Sequence, residues 1–277
     1  MALATNEYWS MSDKAFYCLI DHDRTEAFAK VIAGTVKPGD IVVDLGTGTG
    51  VLAMMAARAG AAKVYAIELD PYNIATLSRV FRENGFSDRI VLLEGDARSL
   101  DLPQKINVVI AEMIATGLIE EMQVPAMNNI LRFTDENTKI ILQNYKTYID
   151  LVYQKTQYYG FKFNIFRYQY PDMPELNPQI CSERYLVDDA DFGGKRASFD
   201  VNVALRVVAI KGGMINGLRI TGDTMFCDGS TLGGTYAYSY PVIVPIEERR
   251  VQPGDEIILD LSYTVSGGMS SFKYVIK

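Results

Sequence analysis

The sequence predicts an α/β chain in two parts, a parallel doubly wound sheet followed by an antiparallel, barrel-like part. Three observations predict it. Ile41 to Asp70 reads as strand, glycine turn, helix, strand; strands and helices go on alternating up to Leu142; and strand periodicity takes over beyond Asn144. The expected division is 1–35 as a helical segment covering a ligand, 36–144 as the ligand-binding domain, and 145–277 as a strand-built substrate or dimerisation domain.

Taken in order, residues 1–20 mix Tyr8, Trp9, Phe16 and Tyr17 with polar groups and show no period, as in a segment laid over a site. In L-I-D-H-D-R-T-E-A-F-A-K-V-I, Leu19, Phe28, Val31 and Ile32 share a helical face, Asp21 or Asp23 can cap it, and Arg24 lies on its first turn. His22 is the single histidine and reads as a capping or surface residue, which removes a Ser-His-Asp triad or a histidine cluster.

Ile41 to Leu45 is a β-branched run broken by Gly46, Gly48 and Gly50, Val51 to Arg58 is helix-forming, and Lys63 to Leu69 is a second apolar run. Without a Cβ, such glycines let the backbone approach a ligand at the carboxyl end of the first strand. Asp44 ends that strand and Glu68 ends the next, where an acid suits two ribose hydroxyls, so a nucleoside is expected. A dinucleotide fingerprint would need a third glycine where Val51 stands; the pattern is D-x-G-x-G-x-G.

Asp70 to Asn84 is expected to be helical, Ile90 to Glu94 a third strand followed by G-D-A at 95–97, Ile106 to Ala111 a fourth strand, Glu120 to Arg132 a helix and Lys139 to Leu142 a fifth strand. P-D-M-P-E-L-N-P at 171–178 is an irregular connection. Phe199 to Val207 and Ile257 to Val265 alternate as strands, V-Q-P-G-D is a turn, and Ser266-Gly-Gly closes a last hairpin.

With 48% hydrophobic residues the chain can bury a core, and its net charge of −7 disfavours nucleic acid and favours a cationic substrate. Cys18, Cys181 and Cys227 are odd in number and far apart, so no disulfide framework or zinc site is indicated. The N-terminal residues lack a basic region followed by an apolar core, and no apolar run reaches a membrane span, so a cytoplasmic protein is expected.

Glu112 follows the fourth strand at the same edge as Asp44 and Glu68, and Glu121 follows across a short loop. Two acids can face one pocket. Equally, Glu120 and Glu121 can begin a helix, where negative charge is favourable with no catalytic role.

D-L-G-T-G-T-G-V-L, Glu68 and G-D-A resemble the class I S-adenosylmethionine methyltransferases. Together with L-I-D-H-D-R-T-E-A-F-A-K-V-I and A-E-M-I-A-T-G-L-I-E-E-M, they resemble the protein arginine methyltransferases and their "double-E" loop. Y-G-F at 159–161 and V-Q-P-G-D-E-I at 251–257 resemble that family's barrel. The resemblance implies a Rossmann-like class I methyltransferase domain followed by a β-barrel-like domain. It implies S-adenosyl-L-methionine as cofactor, a guanidinium-bearing protein, peptide or free arginine as acceptor, and a homodimer.

By the same resemblance Arg24 binds the methionine carboxylate, Asp44, Gly46 and Gly48 line the methionine and ribose, and Glu68 holds the ribose hydroxyls. Asp96 and Ala97 border the adenine, and Glu112 and Glu121 are catalytic, gripping the guanidinium. Two departures stand out. Tyr236, Ala237 and Tyr238 occupy the place of the family's Thr-His-Trp loop, and N-E-Y-W-S-M-S does not match its N-terminal aromatic motif. A dimerisation arm would have to be 179–196. The alternatives are a methyltransferase acting on another small molecule or natural-product peptide, a non-catalytic scaffold, and a nicotinamide-dependent reductase.

Overall fold

The computed structural model describes residues 12–170 and 173–277. Tyr8, Trp9, nearly all of N-E-Y-W-S-M-S and the first two residues of the 171–178 connection lie outside the described residues.

Two helices come first, α1 (Ser12–Ile20) and α2 (His22–Thr35). The sequence showed no period over α1 because its apolar residues are not gathered on one buried face: Phe16, Tyr17, Leu19 and Ile20 are all exposed. Leu19 therefore does not share a face with Phe28. Asp21 separates the two helices, its carboxylate accepting from the Arg24 amide at 3.1 Å as the N-cap of α2.

The parallel part alternates β1 (Ile41–Leu45), α3 (Val51–Ala59), β2 (Lys63–Glu68), α4 (Pro71–Glu83), β3 (Ile90–Glu94), β4 (Val108–Ala111), α5 (Gln123–Ile130) and β5 (Lys139–Ile140). The strand order is β3-β2-β1-β4-β5, so the chain changes direction across the sheet between β1 and β4. In such sheets the crevice outside the carboxyl ends at that point is where ligands bind. Val42, Val43, Val64, Ala66, Val109 and Ile110 are fully or almost fully buried, as strands covered on both faces require. Asp70 caps α4, with Pro71 in its first turn.

Glu120 and Glu121 do not begin a helix, which corrects one reading of these acids. A short 3-10 turn, Thr116–Leu118, contains Gly117 at φ 71° and Leu118 at φ 56°; this left-handed stretch delays the helix to Gln123. The fifth strand also stops early, at Ile140, because Leu142 already starts the first strand of the next sheet.

That antiparallel part contains β6 (Leu142–Tyr153), β7 (Gln157–Tyr158), β8 (Phe161–Lys162), β9 (Arg167–Tyr168), β10 (Gln179–Ile180), β11 (Tyr185–Asp191), β12 (Asp200–Val208), β13 (Gly213–Phe226), β14 (Thr231–Leu232), β15 (Val242–Val251), β16 (Glu256–Thr264) and β17 (Lys273–Ile276). One sheet runs β10-β6-β13-β15-β9, with β11 also on β6 and β14 on β13; a second runs β12-β16-β17. Ile257, Leu259, Leu261 and Tyr263 alternate into the core, as their spacing predicts. Residues 179–196 are no free arm, since β10 and β11 are hydrogen-bonded to β6.

Phe28 ties the halves together. Its ring is fully buried, edge-on to Phe226 at 5.0 Å, and burial of such a side chain is worth about 1.5–3 kcal/mol. Among the described residues no helix is long and apolar enough to cross a membrane.

Candidate active site

A cavity of about 460 Å³ lies at the carboxyl edge of the parallel sheet, under α1. Every site residue expected from the sequence lines it: Arg24 from α2, Asp44 from β1, Gly46 and Gly48 from the turn after it, Glu68 from the end of β2, Asp96 and Ala97 after β3, and Glu112 and Glu121 after β4. Lys14, Cys18 and Glu120 also line it, and sequence spacing carries no signal for Lys14.

The glycine turn is held from within. The Thr47 hydroxyl donates to Asp44 at 2.6 Å, and its amide donates to the Ile67 carbonyl at 2.9 Å. Gly50 sits at φ 79°, and a Cβ there would lie 2.5 Å from the Phe81 ring, so only glycine fits the start of α3. Glu68 joins two turns: one oxygen accepts from the Gly48 amide at 2.7 Å, the other from the Leu69 and Asp70 amides at 2.8 Å each. Three bonds leave a carboxylate room for another donor.

Asp44 is almost fully buried, and burial pushes its pKa up to about 7 against the pull of the Thr47 hydroxyl and Arg24. Asp96 goes the other way. Arg98 bonds to it through side chain and backbone, holding its carboxyl below the usual range. Ala97 is buried, and its carbonyl accepts from Asn129 at 3.0 Å.

Each acid of the double-E loop carries a cation supplied by the helices above it. Glu112 accepts from Arg24 Nε at 2.8 Å and from Arg24 Nη2, and its other oxygen accepts from the Ile114 amide at 3.3 Å. Arg24 spends Nη1 on the Cys18 carbonyl at 3.1 Å. Glu121 is ion-paired with Lys14. The two pairs differ in worth. Arg24 and Glu112 are 5% and 8% exposed, so parting them strands a buried charge, whereas Lys14 and Glu121 at 36% and 22% form a pair worth about 1 kcal/mol or less. Glu120 accepts from the Tyr168 hydroxyl at 2.7 Å.

The segment in place of the Thr-His-Trp loop grips the helices. The Thr235 hydroxyl and the Ala237 amide, the latter at 2.6 Å, both donate to Asp21; Tyr238 is buried with its hydroxyl on Thr224. The chain thus clamps the cap of α2, and with it Arg24, from the barrel side.

The family described as "Ribosomal protein L11 methyltransferase (PrmA)" matches residues 20–143. The uncharacterized protein MJ1452 of Methanocaldococcus jannaschii is 33% identical over 257 residues, which is 92% of this chain and 93% of that one. The chain belongs to that protein's family. It is an S-adenosylmethionine-dependent methyltransferase that resembles the protein arginine methyltransferases. The probable protein arginine N-methyltransferase 6 of Arabidopsis thaliana is 35% identical over 104 residues, 36% of this methyltransferase and 23% of the plant protein's length. In fold, the methyltransferase is similar to the Trypanosoma brucei PRMT1 enzyme-prozyme heterotetrameric complex with AdoHcy, at TM-score 0.74 and 16% identity over 95% of this chain and 96% of that one. The Arabidopsis thaliana protein arginine methyltransferase 10 gives the same TM-score and identity over 95% of each chain.

Proposed function

We propose that this methyltransferase transfers a methyl group to a guanidinium nitrogen of arginine in a protein, a peptide or the free amino acid. One observation carries the reading: Glu112 and Glu121 line the cavity of the glycine turn, and each already holds a cationic side chain, one of them a guanidinium. In this proposal residues 36–144 bind the cofactor, 145–277 shape the acceptor side, and the N-terminal helices cover both. The enzyme is a cytoplasmic homodimer. The plant relative's name supports the arginine reading, and the heterotetrameric assembly named for the trypanosome protein supports association into an oligomer.

The donor set fits S-adenosylmethionine. Glu68 keeps an acceptor site for ribose hydroxyls, Asp96 and Ala97 flank the space for a base, Arg24 retains unbonded N–H groups for a carboxylate, and Gly46 and Gly48 leave backbone exposed to Asp44's neighbourhood. The bound cofactor supplies an electrophilic methyl group. Glu112 and Glu121 orient the acceptor and draw positive charge to two guanidinium nitrogens, which leaves the third with a lone pair for in-line attack. They act by position and fixed charge, with no covalent intermediate. Glu121, the more exposed of the two, passes the released proton to solvent.

Incubation with methyl-labelled cofactor and an arginine-containing peptide, followed by hydrolysis, tests the proposal: labelled methylarginine is expected. Label on a different acceptor would favour the second reading, a small molecule or natural-product peptide bearing an amine. The Lys14 ammonium on Glu121 is the observation behind that reading.

Asp44 adds a pH dependence. Its pKa of about 7 in the fold exceeds that of the unfolded chain, so its contribution to stability is complete below about pH 4 and is lost as pH rises through 7. A cationic cofactor binds the ionised form better. Affinity for S-adenosylmethionine, followed by calorimetry, should therefore rise between about pH 6 and 8, and Asp44→Asn should flatten that rise.

A further inference from the structure

Between Glu112 and Glu121 the backbone takes two consecutive left-handed conformations, at Gly117 and Leu118. Such a stretch persists where its surroundings over-determine it. Here the surroundings are the barrel. The Gly117 amide donates to the Tyr145 hydroxyl at 3.2 Å, and the Thr116 hydroxyl donates to the Tyr240 carbonyl. The Tyr168 hydroxyl donates to Glu120 at 2.7 Å, and three more ties come from the turn after β16. The Ser266 amide donates to the Leu118 carbonyl at 2.8 Å, the Gly268 amide to the Ile119 carbonyl at 2.8 Å, and the Ser266 hydroxyl to the backbone carbonyl of Glu121 at 2.6 Å.

The turn that makes these bonds is stiff. The Gly267 amide donates to the Thr264 carbonyl at 2.9 Å, and the Ser271 hydroxyl accepts from the Thr264 amide at 3.2 Å and donates to the Gly268 carbonyl at 2.7 Å. A Cβ on Gly267 would fall 2.8 Å from Thr264 Cβ and 2.9 Å from its carbonyl oxygen, so the turn has no slack. Read from sequence alone, Ser266-Gly-Gly closes a hairpin; folded, it also holds the acidic loop.

We propose that Ser266 is a positioning residue for Glu121, through which the barrel sets where the second carboxylate stands. The inference rests on the reading that Glu121 grips the acceptor. A bond to the Glu121 carbonyl fixes the origin of that side chain. The Lys14 pair, partly open to solvent, cannot do so.

Ser266→Gly isolates the hydroxyl, because φ 57° suits glycine and the amide bond to Leu118 remains. In this variant hydrogen exchange should quicken in a peptide spanning 113–122, while the melting temperature moves by no more than about 2 °C. The kcat for an arginine-containing peptide should fall about tenfold, with KM for the peptide and Kd for S-adenosylmethionine within about twofold. A merely structural role would lower the melting temperature and raise KM. Unchanged exchange, or faster exchange with unchanged kcat, overturns the proposal. Glu121→Gln, run alongside, separates the two readings. If it keeps full activity, or if the unaltered protein does not methylate the peptide, the role of Glu121 itself falls. If it is inactive and Ser266→Gly is as fast as the parent, only the positioning role falls.

Discussion

Glu121→Gln should cut the rate of methyl transfer by about a hundredfold to a thousandfold while leaving cofactor affinity and melting temperature nearly unchanged. The expectation follows from exposure and partners. Glu121 is partly open, and its side-chain partner among the described residues is the weakly held Lys14, so neutralising it costs the fold little. What it removes is the charge facing the acceptor. Steady-state kinetics with calorimetry on the same variant checks both halves, and a variant that transfers at the parent rate would end the assignment. Glu112→Gln should be as slow but should also weaken cofactor binding, because it releases Arg24.

Arg24→Ala should be the more damaging change for the protein itself. It leaves Glu112 almost buried without its cation, at a cost of about 3–5 kcal/mol, and it removes the guanidinium proposed to hold the cofactor carboxylate. Urea unfolding should show the loss directly. The double variant Arg24→Met, Glu112→Met should regain most of the stability, since no unpaired charge remains, and none of the activity. A single variant as stable as the parent would mean that the pair does not hold α2 over the sheet.

The parallel sheet was readable because strands buried on both faces are written as short continuous apolar runs, and because a glycine at φ 79° beside Phe81 admits no other residue. Given that topology, acids at the ends of β1, β2 and β4 must stand at one edge, which is why Asp44, Glu68 and Glu112 could be expected to share a crevice. Within the helical segment expected over 1–35 the sequence does not mark the bounds of α1, whose large apolar side chains face outward. Helix α5 starts at Gln123, later than its sequence suggests, because the left-handed turn at Gly117 and Leu118 is stabilised by residues far along the chain. Lys14 on Glu121, Ser266 on Glu121 and Thr235 on Asp21 are contacts of the same kind. Spacing within a motif reports neighbours along a strand or helix; it has no term for what a second domain brings to the site.

In the proposed reaction Glu112 and Glu121 together receive the acceptor's guanidinium. A crystal structure of the protein with S-adenosylhomocysteine and an arginine-containing peptide tests it most directly. The peptide's guanidinium is expected between the two carboxylates, with Lys14 displaced from Glu121 and Arg24 kept near Glu112. A bound peptide whose arginine lies outside that pair, with Lys14 still seated on Glu121, would contradict it.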